Sequence, residues 1–528
     1  MVGAPEPHRG GTLTLALTAD PATLNRFEAA DVASLRAIAP TLPNLYQARP
    51  DLSVEPDLAT AMPTISADGL RYTVHLRPAA RWSDGKPITA DDVIATVGIE
   101  TNPGLDTDVA FDWRGLDHVA RVDDHTVTFV LSQPLAPFLA NSLVTFVAPA
   151  HIYSPIDVHR MRTDPTNQVV PVSGGPFMFL KRVPGQEIQL VANPTYYRGR
   201  PYLDKLIEKV IPDAGAELTA LQDGVVQWLP DVPALALVRA HPAGAVTYMY
   251  PDLGYYDLRF NDRPDHLFGD PLVRRALAMT IDKAALVRQV TEGTGTPLWG
   301  DIVPASWAFG AGATVRYSVQ LDAARALMTR AGWTVGADGV AARNGTRFEA
   351  PLLVRSDSPT RQQAAAVVAK AARAIGINLT PKPVDFATFY DPLKAGTFEV
   401  ALAGFATGLD PDEYAVLHSS QLRPDKSKDG LNWTGYQNPQ LDTLIEEERS
   451  LARSQYSDTL HARRRVFDQV QTLLGTDVVT YHLWADGLAM AFSADIGGVV
   501  AGNGGSLLHL DAGRNSAAYA ALYLRSRT

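Results

Sequence analysis

The chain has 528 residues, and at about 100–200 residues per domain this length predicts roughly three packing units. Hydrophobic residues make up 46% and charged residues 20%, as in a folded globular protein. Asp and Glu number 57 against 47 Lys and Arg, and the net charge of −10 argues against a nucleic-acid partner. The absence of cysteine excludes disulfides, thiolate nucleophiles and zinc–thiolate sites.

The first third of the chain predicts strands, turns and one capped helix. Leucine alternates with threonine over 12–17, which predicts a strand with one buried face. A similar alternation predicts a strand over 72–76, which we expect to pair with 127–131 through a turn at Asp123-Asp124. Thr89, followed three residues later by Asp92, predicts a helix N-terminus close to a capping box.

The second half predicts helices that alternate with strands. Asp270 as N-cap and Pro271 at the first helical position predict a helix start. Further helices are predicted at 322–331, 361–375 and 458–474, each ended by a glycine, with strands at 349–355, 377–384 and 399–405. This alternation indicates an α/β architecture.

Three segments carry a resemblance to a known family. Residues 57–94 run from Pro-Asp-Leu-Ala-Thr-Ala-Met to Trp-Ser-Asp-Gly-Lys-Pro-Ile-Thr-Ala-Asp-Asp-Val-Ile. Residues 171–212 contain Val-Ser-Gly-Gly-Pro-Phe and Asn-Pro-Thr-Tyr-Tyr, and 255–283 contain Tyr-Tyr-Asp-Leu-Arg-Phe-Asn. Their order and spacing resemble the family 5 extracellular solute-binding proteins, the oligopeptide, dipeptide and nickel receptors of bacterial ABC importers. The resemblance runs from about Gly10 to Asp486.

The resemblance implies an α/β, two-lobed fold like that of the periplasmic binding proteins. It implies an extra subdomain in the first lobe and a hinge with more than one chain crossing, near 256–262 and 484–490. The implied divisions are 10–44 for the start of lobe I, 45–170 for the extra subdomain, 171–258 for lobe I continued, 259–486 for lobe II, and 487–528 for the return to lobe I.

The resemblance also implies a function. We expect the substrate-binding component of an ABC importer, which captures a peptide or peptide-like solute in an interlobe cleft and delivers it to a membrane permease. The family implies an extracytoplasmic monomer without cofactor, metal or catalytic residues. Met1 to Arg9 shows no signal sequence, so we expect a form from which the signal, and a lipid-modified cysteine upstream, have been removed.

Motifs for catalysis were sought and are incomplete. There is no Gly-x-Ser-x-Gly elbow, and the histidines form no His-x-x-x-His pair. Alternatives to a peptide receptor are a receptor for a metal chelate, haem, sugar or antibiotic-like compound, a signalling receptor that passes ligand to a sensor, and a hydrolase.

The strand at 400–406 is the first candidate for ligand binding. Gly404 would let a ligand backbone approach, Phe405 could stack on a side chain, and Ala406 ends the strand. The alternative is a buried strand of the second lobe.

The loop after this strand is the sharpest test of peptide binding. Family receptors place an aspartate here that pairs with the ligand's α-ammonium group, yet this loop is one residue short, and Thr407 or Gly408 falls at that position. Asp410 is a candidate ligand contact and, with Pro411 and Glu413 behind it, a candidate helix cap, and the two roles are not exclusive.

The remaining candidates are aromatic, amide or loop residues. Asn432 and Trp433 resemble a family segment that faces the cleft, and Tyr255 and Tyr256 lie where the family uses tyrosines around the ligand. For Trp433 the alternative is packing within the lobe, and for the tyrosines it is hinge packing.

Four further candidates lie nearer the N-terminus. Glu28 and Ala30 match a cleft-lining loop, although Glu28 could be a plain surface acid. Ser173 and Gly174 would present backbone to the ligand, or only form the bend before Pro176.

Overall fold

The computed structural model describes residues 7–49, 51–105, 112–405, 407–422, 430–452, 456–499 and 516–525. The chain divides into two units. Unit 1 comprises Met1–Tyr250, Leu451–Thr459 and Leu488–Thr528, and unit 2 comprises Pro251–Ser450 and Leu460–Gly487. Chain therefore passes from one unit to the other at 250/251, 450/451, 459/460 and 487/488.

The first half of the chain builds most of unit 1. Its helices and strands are β1 (Thr12–Leu17), α1 (Val32–Ile38), β2 (Tyr46–Ala48), β3 (Val54–Pro56), β4 (Thr64–Ile65), β5 (Arg71–His75), α2 (Ala90–Glu100), β6 (Leu116–Asp123), β7 (Thr126–Leu131), α3 (Phe138–Asn141), α4 (Ala150–Tyr153), β8 (Phe177–Val183), β9 (Glu187–Ala192), β10 (Lys205–Val210), α5 (Ala214–Gln222), β11 (Trp228–Pro233), α6 (Ala234–Ala240) and β12 (Ala245–Pro251).

The second half builds unit 2 and then returns to unit 1. Its elements are β13 (Tyr255–Phe260), α7 (Pro271–Ala278), α8 (Lys283–Thr291), β14 (Thr296–Pro297), α9 (Leu321–Arg330), β15 (Thr334–Val335), β16 (Ala341–Arg343), β17 (Thr346–Arg347), β18 (Glu349–Arg355), α10 (Pro359–Arg373), β19 (Asn378–Val384), α11 (Phe386–Ala395), β20 (Val400–Phe405), α12 (Tyr414–Leu417), α13 (Pro439–Ser450), α14 (Tyr456–Asp477), β21 (Thr480–Ala485), β22 (Gly487–Ser493), β23 (Ile496–Gly497) and β24 (Tyr523–Leu524).

A seven-stranded sheet organises unit 1, in the order β12-β22-β11-β1-β10-β9-β8. β1 runs parallel to both β10 and β11, and its predicted buried face is confirmed because Leu13 and Leu15 are fully buried. A second sheet of unit 1 has the order β4-β5-β7-β6.

The pairing predicted for this smaller sheet needs a correction. β5 pairs with β7 as expected, but the turn after Asp123 joins β7 to β6, a strand that the sequence interpretation missed. β6 carries almost no buried residue, so its pattern lacks the apolar alternation that marks a half-buried strand. The predicted cap of α2 is confirmed, since the Asp92 carboxylate accepts a hydrogen bond from Thr89 N at 2.8 Å.

A six-stranded sheet organises unit 2, in the order β14-β21-β13-β20-β18-β19. Leu258 and Phe260 of β13 are fully buried in a core that also takes residues from α7 to α10. The helix start at Asp270 is confirmed, because its carboxylate accepts a hydrogen bond from Leu272 N at 2.8 Å.

Two helices of unit 2 differ from the prediction: one is longer than expected and one was not predicted. α14 does not end before Gly475, as predicted, but continues to Asp477. Glycine stands at 475 because of packing and not because the helix ends there: an added Cβ would lie 2.9 Å from the Val315 side chain. α11 was missed because Pro392 stands inside it, and an internal proline argues against a helix.

Replacement of Gly175 by alanine tests the packing of unit 1. An added Cβ would lie 2.6 Å from the backbone oxygen of Pro40, so Gly175→Ala should lower the free energy of unfolding by about 1–3 kcal/mol. Gly98→Ala, in exposed helix with no atom near the new Cβ, is the control and should be neutral or stabilising by up to about 1 kcal/mol. Urea denaturation of both variants measures the difference, and equal midpoints would contradict the packing argument.

Candidate ligand-binding site

One edge of the unit 2 sheet collects the carboxyl ends of its strands. β18 runs parallel to β19 and β20, while β13 runs antiparallel to both β20 and β21. The ends of β18, β19, β20 and β21 therefore lie at the same edge as the start of β13. We call this the carboxyl edge. In open α/β sheets, ligands bind outside the carboxyl ends of the strands.

Four of the predicted site residues meet at the carboxyl edge. Tyr255 pairs with Phe405 and Tyr256 pairs with Gly404 across β13 and β20. The rings of Tyr255 and Phe405 lie 5.9 Å apart. A Cβ at Gly404 would lie 3.0 Å from Cε1 of Tyr256, so the space that glycine leaves on this face is filled by the tyrosine ring and not by a ligand.

The end of β20 extends past its register with β18. β20 lies between β13 and β18 in the sheet and is therefore an interior strand. It pairs with β13 along Val400–Phe405, but its register with β18 extends no further than Val400–Leu402. Residues 403–405 thus continue past the β18 pairing, where the main chain of an extended ligand could add hydrogen bonds.

Tyr255 and Tyr256 point to opposite faces of β13, as alternation requires. Tyr255 is buried and its ring lies 4.5 Å from the ring of His482. The Tyr256 hydroxyl donates to Asp486 at 2.9 Å, and its ring packs at 4.6 Å from Trp484. Burial and the neighbouring Asp486 carboxylate raise the pKa of Tyr256 to about 12, so its hydroxyl remains a donor at neutral pH.

Arg259 contacts two aromatic residues of the carboxyl edge. Its guanidinium carbon lies 5.2 Å from the Phe405 ring centroid and 5.8 Å from that of Trp433. Arg259 is buried, and its Nε lies 3.3 Å from a carboxylate oxygen of Asp257 on the same strand. Trp433 also packs against Tyr390, at 5.6 Å between ring centroids. Its indole Nε1 is buried and finds no hydrogen-bond partner among the described residues.

Asp410 is neither a helix cap nor placed for a ligand, which corrects both interpretations. Its carboxylate accepts two hydrogen bonds from Arg463, at 2.5 and 2.7 Å, and both side chains are almost fully buried. Arg463 also binds Glu448 at 2.5 Å. The short helix α12 begins four residues later, and its first amide, Tyr414 N, donates to Asp412.

Asn432 also has a structural role rather than the predicted ligand contact. Only 1% of its surface is exposed. Its side-chain nitrogen donates to the backbone oxygens of Leu417, His418 and Tyr436, and its oxygen accepts from Thr434 and Gly435. An amide engaged in this way closes a loop and leaves no atom for a solute.

Thr407 and Ala406 are the remaining predicted site residues of this region. The Thr407 hydroxyl donates to the backbone oxygen of Leu253, so it joins the chain after β20 to the chain before β13. Ala406 lies outside the described residues.

Behind the carboxyl edge lies a group of buried charges, which we call the acidic cluster. Six carboxyl groups face three guanidinium groups within it. The members are Asp257, Asp301, Asp410, Asp412, Glu413 and Glu448, with Arg259, Arg449 and Arg463.

Burial raises the pKa of several acids of the cluster. The pKa of Asp301 rises to about 6 and that of Glu448 to about 8, both chiefly because burial penalises the charged form. Burial, with Asp301 nearby, raises the pKa of Glu413 well above its ordinary value. Both carboxylate oxygens of Asp301 are buried and have no hydrogen-bond partner among the described residues. These raised pKa values favour the protonated forms of Glu413 and Glu448 at neutral pH, which reduces the negative charge of the acidic cluster.

The four predicted residues of unit 1 are described separately. Glu28 forms an ion pair with Arg162 at 3.3 Å and Ala30 is exposed, so a ligand role for both stays a prediction. Ser173 and Gly174 do not present free backbone, which corrects that interpretation. Ser173 N and O bond to Ser83, Gly174 N bonds to Thr41 O, and a Cβ at Gly174 would lie 2.7 Å from the Trp82 ring.

Sequence reasoning missed Arg259, Arg361, Arg463 and Asp486. The aromatic partners of Arg259, Phe405 and Trp433, and the partner Asp410 of Arg463 are distant in sequence, so no local pattern marks these contacts. Arg361 had a signal that could have been read: it is a cation in the first turn of a helix, where acidic residues are favoured.

The parts of the chain that the structure describes contain neither a candidate metal site nor a candidate membrane-spanning helix. No three His, Asp or Glu side chains there are grouped so that they could hold a metal ion. None of the helices in those parts has the length and apolar character needed to span a bilayer.

The family model of the bacterial extracellular solute-binding proteins, family 5 middle, matches residues 53–427. This match covers more than two thirds of the chain. The protein belongs to the family 5 extracellular solute-binding proteins. The family and the α/β, periplasmic-binding-protein-like fold expected from the sequence are therefore confirmed, and the protein is a solute-binding component of transport.

Individual relatives agree with this assignment. The oligopeptide-binding protein AppA of Bacillus subtilis is 29% identical over 461 residues, which cover 86% of this chain and 83% of AppA. The heme-binding protein A of Haemophilus influenzae is 26% identical over 436 residues, 78% of this chain and 76% of that protein. The structure of AppA with a nonapeptide matches 99% of this chain and 100% of that chain, with a TM-score of 0.71 and 26% identity.

Replacement of Asp410 by alanine tests the Arg463 ion pair. Asp410→Ala leaves a buried guanidinium short of one carboxylate, and we expect it to lower the free energy of unfolding by about 3–5 kcal/mol. Asp322→Ala removes an acid of the same unit whose side chain is 98% exposed, and should change stability by less than about 0.5 kcal/mol. Urea denaturation distinguishes the two, and a neutral Asp410 variant would show that the pair is not structural.

The raised pKa values of Asp301 and Glu448 predict that these two acids contribute more to stability as the pH falls from 8 to 6. The buried His482, whose pKa burial lowers, contributes in the opposite direction, so the test compares variants with the parent chain. The folded-state pKa values of Asp301 and Glu448 exceed those of the unfolded chain. The folded chain therefore binds protons more tightly, and stability is lost as the pH rises through these values. Asp301→Asn needs no proton and should raise the free energy of unfolding at pH 8 by on the order of 1–3 kcal/mol.

Urea denaturation at pH 6, 7 and 8 measures this dependence. The exposed Asp322→Asn variant serves as the control and should keep the slope of the parent chain. A difference in stability between the Asp301→Asn variant and the parent chain that is the same at pH 6 and pH 8 would contradict the assignment of a proton to Asp301.

Proposed function

We propose that this family 5 binding protein captures a peptide or peptide-like solute at the carboxyl edge of unit 2 and leaves its covalent bonds unchanged. The observation that carries the proposal is the end of β20. Residues 403–405 continue past the register with β18, and a ligand in extended conformation can pair with them. Main-chain hydrogen bonds of this kind accept many side chains, as a transport receptor requires.

The side chains around this strand end suit an amphipathic solute. Phe405 and Trp433 are half-buried aromatic residues, and Arg259 lies close to both rings. Aromatic rings supply contact area at low cost in conformational entropy, and a few polar groups fix the orientation of a ligand. The AppA relative is named as an oligopeptide-binding protein and was solved with a nonapeptide, which supports a peptide as the cargo.

The partners and the location of the protein follow from its family. Family 5 members are extracellular solute-binding proteins. We propose that this one works as a monomer and delivers its cargo to an ABC permease in the membrane. We further propose that it has no catalytic activity or resident cofactor and is held at the membrane by a lipid anchor.

A second candidate cargo is a non-peptide compound. One specific observation favours it: the relative from Haemophilus influenzae, similar over 78% of this chain, is named for binding heme. The position of Asp410, which faces Arg463 and not a solute, also removes one group that would favour peptides over other cargoes.

The test is capture of unmodified peptide by the purified protein. The chain is incubated with a pool of peptides of two to nine residues, and native mass spectrometry identifies the bound mass. We expect one peptide per chain, recovered intact. Phe405→Ala should weaken binding by about tenfold, because a buried aromatic contact contributes about 1 kcal/mol or more.

Val335→Ala, at an exposed position of β15, is the control and should bind like the parent. Thermal unfolding of each variant confirms that the fold is kept. Capture of a non-peptide compound in place of any peptide would favour the second cargo, and recovery of cleaved peptides would contradict the proposal.

A further inference from the structure

Arg259 lies on a face of the unit 2 sheet that has room for its long side chain. In the pairing of β13 with β20, Asp257 lies opposite Ala403 and Arg259 lies opposite Ala401. Residues opposite each other in a sheet share a face, and the two methyl side chains of β20 leave space on it. Arg259 is only 5% exposed, so it occupies this space, and its guanidinium carbon comes within 5.2 Å of the Phe405 ring centroid.

The guanidinium group of Arg259 contacts two rings that belong to different parts of the apolar core. Phe405 packs against a cluster that contains Tyr255, whereas Trp433 packs against a cluster that contains Phe389. The guanidinium carbon lies 5.2 Å from the first ring and 5.8 Å from the second. A cation near the face of an aromatic ring is attracted to it, most strongly where water is excluded. Arg259 therefore connects the two half-buried rings near the end of β20.

The ion pair with Asp257 does not by itself explain the position of the Arg259 side chain. Nε of Arg259 lies 3.3 and 3.4 Å from the two carboxylate oxygens of Asp257. These distances exceed the roughly 2.7–2.9 Å of a charge-assisted hydrogen bond. Arg463, by contrast, binds the Asp410 carboxylate through two terminal nitrogens at 2.5 and 2.7 Å. The position of the Arg259 guanidinium group therefore reflects its contacts with the two rings as well as its acidic partner.

The main chain of Trp433 is held by other residues than its ring. The Trp433 backbone oxygen accepts a hydrogen bond from Arg263 at 3.2 Å, and its backbone N–H donates to the oxygen of Leu431 at 2.7 Å. The indole ring instead contacts Tyr390, at 5.6 Å between centroids, and Arg259. A change at Arg259 should therefore alter the direction of the ring and leave the loop in place.

We propose that Arg259 is a positioning residue of the ligand site, which holds the rings of Phe405 and Trp433 so that they receive an uncharged aromatic side chain of the cargo. This inference rests on the proposed function and specifies its cargo. Aromatic rings attract one another in offset or edge-on arrangements beyond the effect of buried area. A cationic side chain gains less, because a cation already lies against these rings within the protein.

The experiment compares three pools of hexa-alanine peptides in which one alanine, at any position, is replaced by phenylalanine, cyclohexylalanine or lysine. Cyclohexylalanine has nearly the shape and apolar area of phenylalanine but no aromatic ring. Equal amounts of the pools compete for the full chain, and native mass spectrometry measures the ratio of the bound masses. We expect the parent chain to prefer phenylalanine over cyclohexylalanine by about threefold to tenfold, and to bind the lysine pool least.

Variants of Arg259 assign the preference to this residue. Arg259→Met keeps a long apolar side chain without the charge, and should reduce the preference for phenylalanine over cyclohexylalanine to less than about twofold. Binding of unsubstituted hexa-alanine should change by less than about threefold, because it depends on main-chain pairing with β20. Arg259→Lys keeps a cation and should retain most of the preference. The double variant Asp257→Asn, Arg259→Met leaves no buried unpaired carboxylate, and should show the same reduced preference if the single variant folds poorly.

Arg274→Met is the matched control. Arg274 is a buried arginine of the same unit, pairs with Asp262 at 3.1 Å and donates to the backbone oxygens of Phe268 and Asp477. Its replacement should lower the melting temperature about as much as Arg259→Met and leave the preference unchanged. An arginine with a merely structural role would weaken binding of all three pools together.

The outcomes separate this inference from the proposed function. Equal binding of the phenylalanine and cyclohexylalanine pools by the parent chain overturns the inference while peptide capture stands. The same holds if Arg259→Met keeps the parent's preference, or if Arg274→Met loses it to the same extent. A parent chain that binds none of the peptides, hexa-alanine included, overturns the proposed function and the inference with it.

Discussion

The pairing of β13 with β20 and β21 is the interaction on which the rest of unit 2 depends. One face of β13 buries Leu258 and Phe260 in the apolar core, and the other carries Asp257 and Arg259. Because side chains alternate along a strand, a shift of register by one residue would place charges in the core. The register therefore fixes the carboxyl edge: it sets Tyr255 beside Phe405 and Tyr256 beside Gly404, where a ligand can meet them.

Charge burial determines which charged groups are exposed at this edge. Arginines of α13 and α14 form ion pairs with acids of the 409–413 loop. Burial raises the pKa of Glu448, which favours its protonated form. Buried pairs of this kind seldom add much stability compared with apolar residues, but removal of one partner is costly. Their consequence here is electrostatic, since they leave little negative charge exposed along the loop after β20.

Several residues that resemble family motifs turn out to be scaffold. Ser173 and Gly174 fix the chain against Trp82 and Thr41, and Asn432 closes a loop through five hydrogen bonds. Such residues identify the fold because their packing and hydrogen bonds permit few other residue types at these positions. Because a fold does not by itself determine function, these scaffold residues carry no information about the cargo.

The amino-acid sequence was enough to predict the α/β architecture, the family and the helices and strands with clear local alternation, caps and turns. The cap at Asp270 and the strand Glu349–Arg355 are examples. The role of Asp410, whose partner Arg463 lies 53 residues away, and that of Gly404, whose missing side chain is replaced by the Tyr256 ring, became visible in the folded chain alone. Local patterns report what a residue favours, whereas the partner of a buried charge and the filling of a space depend on contacts between segments that are distant in sequence.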